Sequence, residues 1–262
     1  MNKITILVPV YNEKNSLLEI IKRIEEVDFG LEKEIILIDD FSTDGTKELY
    51  SQLPYKVLYH QRNMGKGAAL RTGLMAATGD VIIIQDADLE YNPKDYKPLV
   101  HLIATNSADV VYGSRLADTR NNGNFLLLSY LANVFLTLMT RVLYGTYMTD
   151  METCYKAFRA DVIKGISIKS NRFDFEPEIT AKVLKRNVRF MEVPISYNAR
   201  KNEEGKKIEY MSILFRPLET KEIWENCAKI IVSQTKEKTS RYHYELLHWL
   251  ENKQWPGYDI IF

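Results

Sequence analysis

Residues 79 to 93 read GDVIIIQDADLEYNP. A run of β-branched apolar residues, Val81 to Ile84, stops at Asp86-Ala87-Asp88, and Glu90 follows two positions on. Carboxylates crowded at the mouth of a buried strand repel one another, so the pattern makes sense where a positive charge is to be received. Asp86, Asp88 and Glu90 are hard oxygen donors of the kind that Mg²⁺ uses; that ion takes one or two carboxylates and completes its shell with water and substrate phosphates. The chemistry indicated is a metal–diphosphate complex. Capping of the helix after Pro93 plus solvated turn charges is the weaker explanation for acids so close to a buried edge.

Other polar residues stand where apolar runs end. KITILVPV leads from Pro9 into Tyr11, Asn12 and Glu13, EIILID runs into Asp39-Asp40, and DVVYGS passes through Gly113-Ser114 to Arg115. In open parallel sheets ligands bind beyond the carboxyl ends of the strands. Polar ends recurring along one edge therefore mark a site.

The elements that must bring these ends together are legible as an alternation. KITILVPV is apolar without clean alternation, as expected of a strand covered on both faces. NSLLEIIKRIEEV has helical spacing at Leu17, Leu18, Ile21 and Ile24. EIILID, a helix opened by FSTDGT, KVLYH, a helix at GAALRTGLMAAT, DVIIIQ, a helix begun by Asn92-Pro93 and DVVYGS follow in turn. The series predicts an α/β fold with a doubly wound, mostly parallel sheet and right-handed crossovers.

Beyond Arg115 a polar loop, LADTRNNGN, leads to an apolar helix at 125–145, the segment YMTDMETCYKAFRAD, a helix around FEPEITAKVLKRN and a strand in VRFMEVPISY. The helix at 125–145 is about as long as a membrane span, which takes roughly 20 apolar residues. Ser129, Asn133, Thr137 and Arg141 recur at every fourth position, however, and form one narrow polar stripe. A helix packed on protein or resting on a membrane, its stripe toward a site, fits better than a span. The expected organisation is a domain over 1–207, divided into a nucleotide-binding half (1–115) and an acceptor-side half (116–207), followed by a helical tail (208–262). Ile223, Trp224, Cys227, Ile230 and Ile231 share one face of that tail.

Composition removes several alternatives. Lys plus Arg and Asp plus Glu both total 35 of 262 residues, so no net positive charge favours nucleic acid. Cys154 and Cys227 match no metal or redox spacing and read as two thiols in a reducing compartment. MNKITILVPVYNE reads as a first strand rather than a signal peptide. The loop after it lacks G-x-G-x-x-G, and NMGKGAAL lacks the P-loop spacing. Lys66 in that segment is either a phosphate contact or part of a tight turn into the helix.

ILVPVYNE, LIDDFSTDGT, NMGKGAAL, QDADLEYNP, YGSR, DMETCYKAFR and EVPISYNAR…EGKKI, in this order over roughly residues 3 to 208, resemble family 2 glycosyltransferases. More narrowly they resemble the polyprenyl-phosphate (dolichol-phosphate) sugar transferases. The resemblance implies a GT-A fold and a nucleotide diphosphate sugar donor. It implies that Pro9, Tyr11, Glu13 and Asp40 contact base and ribose, with Asp40 accepting a hydrogen bond from the base. Asp86 and Asp88, with Glu90, would hold Mg²⁺ or Mn²⁺; the subgroup often has glutamine at the position of Glu90. Arg115 and Arg200, with Lys206 or Lys207, would gather around the phosphates, where a guanidinium fork suits the oxygens.

The implied partners are that donor and a polyprenyl phosphate. The implied location is the cytoplasmic face of the membrane, with the chain attached peripherally. A lipid monophosphate is largely ionised at neutral pH, its second pKa being about 6, and attacks without a strong base. None is obvious, since His60, His101, His243 and His248 lie outside every motif. A hydroxyl acceptor would need a base, for which family position indicates Asp150; alternatively Asp150 orients the surroundings of the acceptor phosphate or holds a turn. The catalytic set expected is Asp88, Arg115 and Asp150, acting with inversion in one displacement. A saccharide acceptor and a non-catalytic sugar-nucleotide binder are the competing readings. Many relatives carry C-terminal membrane helices, which this sequence lacks; its tail would lie on the membrane, pair with a second copy or pack on the domain.

Overall fold

The computed structural model describes residues 1–117 and 127–200. They belong to the first of two compact units, Met1–Tyr210 and Met211–Phe262. Lys206, Lys207 and the tail expected at 208–262 lie outside the described residues.

Seven strands form one sheet in the order β3-β2-β1-β4-β6-β5-β7. They are β1 (Lys3–Val10), β2 (Glu32–Asp39), β3 (Lys56–Tyr59), β4 (Val81–Ile84), β5 (Val110–Ser114), β6 (Lys156–Arg159) and β7 (Phe190–Pro194). The helices are α1 (Leu17–Glu25), α2 (Thr46–Leu49), α3 (Lys66–Ala76), α4 (Tyr96–Ala104), α5 (Leu127–Tyr144), α6 (Ala160–Lys164) and α7 (Phe175–Leu184). The β-branched runs lie in the middle of the sheet because both faces are covered there. Ile4, Ile6, Leu7 and Val8 of β1 and Val81, Ile82 and Ile83 of β4 have no exposed surface. Each such side chain contributes about 1.5–3 kcal/mol on burial.

The predicted mostly parallel sheet is found, with one strand added. β6 is antiparallel to both β4 and β5 and separates them. The crossover through α4 therefore skips one place, and β5 still runs in the direction of β4. In consequence the carboxyl ends of β1, β2, β4 and β5 do share one edge. β6 hides in DMETCYKAFR because it carries a lysine inward: Lys156 is fully buried, its amine donating to the Met151 and Thr153 carbonyls and pairing with Glu176.

The opposite edge is held by paired charges. Asp109, at the start of β5, meets Arg189 at 2.7 Å and Arg159 at 2.9 Å. The Arg189 guanidinium holds its carboxyl well below the usual range. Glu34 of β2 ties β1 to the turn before β4, accepting from the Thr5 hydroxyl (2.5 Å) and from the Thr78 amide (2.8 Å) and hydroxyl (2.7 Å).

Glu34→Gln is expected to lower Tm at neutral pH and to leave it unchanged in strong acid. Burial pushes the Glu34 carboxyl up, but the Thr5 and Thr78 hydrogen bonds and Lys3 outweigh it and bring the pKa from 4.5 down to about 2. A folded value below the unfolded one means that the ionised form stabilises the fold above the unfolded pKa, and that this is lost as pH falls through the folded one. Thermal melts of both proteins across this range check it: the two curves should converge in acid, and parallel curves would refute the assignment.

α5 is polar side in. Asn133, Thr137 and Thr140 are buried, while Leu131 and Leu138, at 52% and 53% exposed, and Val134 and Val142 face outward. Two residues of the expected stripe thus turn inward; Arg141 is exposed, and the Ser129 side chain lies outside the described residues. Among the described residues no helix is long and apolar enough to cross a membrane. Cys154 is a buried free thiol.

Candidate active site

A cleft of about 480 Å³ opens at the shared carboxyl edge. Pro9, Tyr11 and Glu13 line it from the end of β1, Asp40 from β2, and Lys66 from the start of α3. Asp86, Asp88 and Glu90 enter from the segment after β4, and Arg200 from the chain beyond β7. Arg115 and Asp150 are not among the lining residues.

The strand ends are shaped by local strain and then laced together. Asn12 and Phe41, just past β1 and β2, have φ of 53° and 66°, a region non-glycine residues seldom occupy. Their loops are joined by Asn12 N–H to Ser42 Oγ (3.0 Å) and Thr43 N–H to Asn12 Oδ1 (2.8 Å). Asp40 accepts from the amides of Met64 (2.8 Å) and Gly65 (2.7 Å). Its Oδ1 also lies 2.7 Å from Nδ1 of His60, whose Nε2 is 2.9 Å from the Thr72 hydroxyl. His60, which belongs to no motif, thus braces the residue expected to read the base.

Gly65 has φ +94°, and a Cβ there would lie 2.4 Å from the carbonyl oxygen of Asn171. The absent side chain lets the segment before α7 press on the start of α3, where Ala68 N–H donates to Asn171 O at 3.0 Å. Glu178 fixes the same segment by accepting from the amides of Lys169 (2.9 Å) and Ser170 (2.7 Å). Arg172 and Phe173 are thereby presented to the cleft. Sequence reasoning missed both; the only signal was the pair of glycines, Gly65 and Gly67, which announces a close neighbour without naming it.

Charge at this edge is unevenly matched. Lys66 Nζ lies 2.8 Å and 3.1 Å from the two oxygens of Asp86 and 3.1 Å from Glu176, which Lys156 holds from its other side. Burial pushes Asp86 up, but Lys66 more than reverses this and keeps it below its ordinary pKa. Asp88 has no ion-pair partner among the described residues and accepts only the Glu90 amide, at 3.1 Å. Burial, then the charges of Asp86 and Glu90, push its carboxyl up to about 8.

Glu90, expected as a third metal ligand, has both oxygens engaged: Oε2 accepts from the Tyr197 hydroxyl (2.8 Å) and Oε1 from the Arg200 amide (2.9 Å). Among the described residues no three His, Cys, Asp or Glu side chains converge as a set able to hold a metal ion. What remains for a cation is the Asp86/Asp88 pair, the number of carboxylates Mg²⁺ uses when phosphates complete its shell. The Arg200 guanidinium bonds to Glu13 at 2.8 Å, so two expected contacts form one wall.

Arg115 was expected among the phosphates, and Asp150 as a base, as an organiser of the acceptor phosphate's surroundings or as the holder of a turn. The structure joins the two in the interior. Asp150 accepts from the Arg115 amide (2.9 Å), Nε (2.7 Å) and Nη2 (2.8 Å), and from Asn133 of α5 at 2.7 Å. Burial raises its pKa, but Arg115 holds the carboxyl below its usual value. The guanidinium lies 5.1 Å from the Tyr197 ring. Reversed polarity in α5 now has a cause: its buried stripe serves this pair.

Residues 5–166 match the family described as Glycosyl transferase family 2. The chain is 30% identical over 225 residues to the dolichol-phosphate mannosyltransferase of Pyrococcus furiosus, covering 82% of this chain and 63% of that one. It is 29% identical over 214 residues to the dodecaprenyl-phosphate galacturonate synthase of Rhizobium johnstonii, covering 78% and 61%. It thus spans less than two thirds of the length of either relative. In fold it resembles Mycobacterium tuberculosis glucosyl-3-phosphoglycerate synthase crystallised with Mn²⁺, UDP and phosphoglyceric acid. That likeness has a TM-score of 0.61 at 18% identity, covers 78% of this chain and 73% of that one, and concerns the GT-A fold.

Proposed function

Because this chain belongs to glycosyl transferase family 2, we propose that it moves a sugar from a nucleotide diphosphate sugar to a polyprenyl phosphate, with inversion in a single displacement and with Mg²⁺ or Mn²⁺ held by Asp86 and Asp88. The observation that carries the reading is Asp88. It lines the cleft with no ion pair among the described residues, beside Asp86 and within the field of Arg200, on the edge where the β1 and β2 ends form a second wall. When bound, the cation supplies Lewis acidity to the diphosphate, on which negative charge grows as the sugar–phosphate bond breaks.

The chain's own groups do the remaining work. Pro9, Tyr11 and the braced Asp40 receive base and ribose. Arg200, aimed by Glu13, places a fixed positive charge at the cleft for the departing nucleoside diphosphate, which it stabilises most when that charge is greatest. Lys206 would add to it. The sugar and base are set by the shape of this cleft.

Two features favour a phosphate over a hydroxyl acceptor. Among the described residues no histidine lines the cleft, and Asp150, the candidate base, is committed to Arg115. An ionised lipid phosphate needs no proton removed. The outward apolar residues of α5 offer a surface on which a polyprenyl chain or the cytoplasmic membrane face can rest while the inner side of the helix supports Arg115 and Asp150. The relatives named above carry polyprenyl and dolichol phosphates in their names, which agrees with this choice.

The test is transfer itself. Labelled UDP-, GDP- and dTDP-sugars are incubated with undecaprenyl phosphate and Mg²⁺, and label should pass into the organic phase with one donor. Label appearing only on added saccharides, or donor bound without transfer to any acceptor, would reject the proposal.

A further inference from the structure

We propose that Lys66 is a built-in competitor for the divalent cation at Asp86, and that Glu176, outside every sequence motif, is the positioning residue that retains Lys66 when the cation arrives. The inference rests on the metal reading above and adds to it how entry of the ion is controlled.

Lys66 Nζ covers both oxygens of Asp86, at 2.8 Å and 3.1 Å. A cation that binds this carboxylate must share its oxygens with the amine, and the two positive charges then repel each other at close range. Lys66 has a side chain only 12% exposed, and an ammonium released there without a partner pays heavily in lost solvation. Glu176 removes that obstacle, since its Oε1 is already 3.1 Å from the amine. The lysine need not travel; it shifts its share of bonding from Asp86 to Glu176.

Glu176 in turn is prevented from following. Lys156, fully buried in β6, holds its other oxygen and is itself anchored by the Met151 and Thr153 carbonyls. The four groups Asp86, Glu176, Lys66 and Lys156 sum to zero charge. A divalent ion arriving alone at Asp86 meets the Lys66 ammonium on the same carboxylate, whereas a nucleoside diphosphate arriving with it brings anionic oxygens that offset this repulsion. The network therefore makes bare-metal binding weak and couples it to the arrival of the donor, and by reciprocity the metal strengthens donor binding equally.

The test measures Mn²⁺ binding to the full chain by the electron paramagnetic resonance signal of the free ion, with and without nucleoside diphosphate. Lys66→Met should bind Mn²⁺ alone about tenfold more tightly than the parent, within the usual range of coupling between sites. Coupling to the diphosphate should shrink correspondingly. Glu176→Gln, close in shape, should act in the opposite sense and weaken Mn²⁺ binding several-fold, because Lys66 is left with Asp86 alone; this variant decides the matter if Lys66→Met does not fold. Affinity unchanged or reduced in Lys66→Met, or unchanged in Glu176→Gln, while the parent binds Mn²⁺ would overturn this inference and leave the metal reading intact. A parent that binds no Mn²⁺ even with nucleoside diphosphate would overturn both.

Discussion

Asp88→Ala is expected to lower kcat by about 10²–10³-fold, the scale of losing one electrostatic contributor to a transition state, without weakening the fold. The two halves of this expectation have one origin. Asp88 accepts a single hydrogen bond among the described residues and sits beside Asp86 and Glu90, so its negative charge is a liability until a cation is present. Its folded pKa, about 8 against an ordinary 3.8, lies above the unfolded one. The stability that follows from keeping the group neutral is full below the lower value and is lost as pH rises through the higher. Metal-free Asp88→Ala lacks that loss, so its Tm should equal or exceed the parent's at pH 8 and above, and added Mn²⁺ should raise it less. Turnover, melts and Mn²⁺ titrations on one preparation decide the matter. Parental turnover, or a variant that is simply unfolded, would remove Asp88 from the role given to it.

The parts of this molecule that were legible in its sequence are those in which local pattern and burial agree. β1, β2 and β4 are continuous apolar runs because both faces of the central sheet are covered, and their polar ends converge because parallel strands share an edge. β6 was illegible for the opposite reason. Lys156 is a poor guide to a buried strand, and the residue that makes its burial tolerable, Glu176, is twenty positions away on a helix. Spacing placed Glu90 near Asp86 and Asp88, but Tyr197 and Arg200, more than a hundred residues on, determine where its oxygens are used. For α5 the every-fourth stripe and its inward direction were visible, while the buried Arg115–Asp150 pair that it serves was not. Arg172 and Phe173 lie in a segment with no period at all.

Asp150→Asn is expected to cost about 3–5 kcal/mol of stability, the usual penalty for leaving one member of a buried ion pair behind. Asp150 has no exposed surface and neutralises Arg115, itself 4% exposed, through a two-pronged contact that asparagine cannot match in charge. The loop that carries it is pinned independently, Glu192 of β7 accepting from the amides of Thr149 (2.7 Å) and Asp150 (3.2 Å). Backbone position should therefore survive, and the loss should be that of the charged bridge from Asp150 to Arg115. Urea unfolding measures it, and the pair of changes Arg115→Met with Asp150→Leu should recover much of the stability, since apolar replacements of buried pairs are often neutral or better. A general base would behave otherwise: Asp150→Asn would fold as firmly as the parent, turnover would collapse, and the acid limb of its pH profile would vanish. The short, fully satisfied geometry of Asp150 predicts the first result, and with it a reaction whose acceptor arrives already ionised.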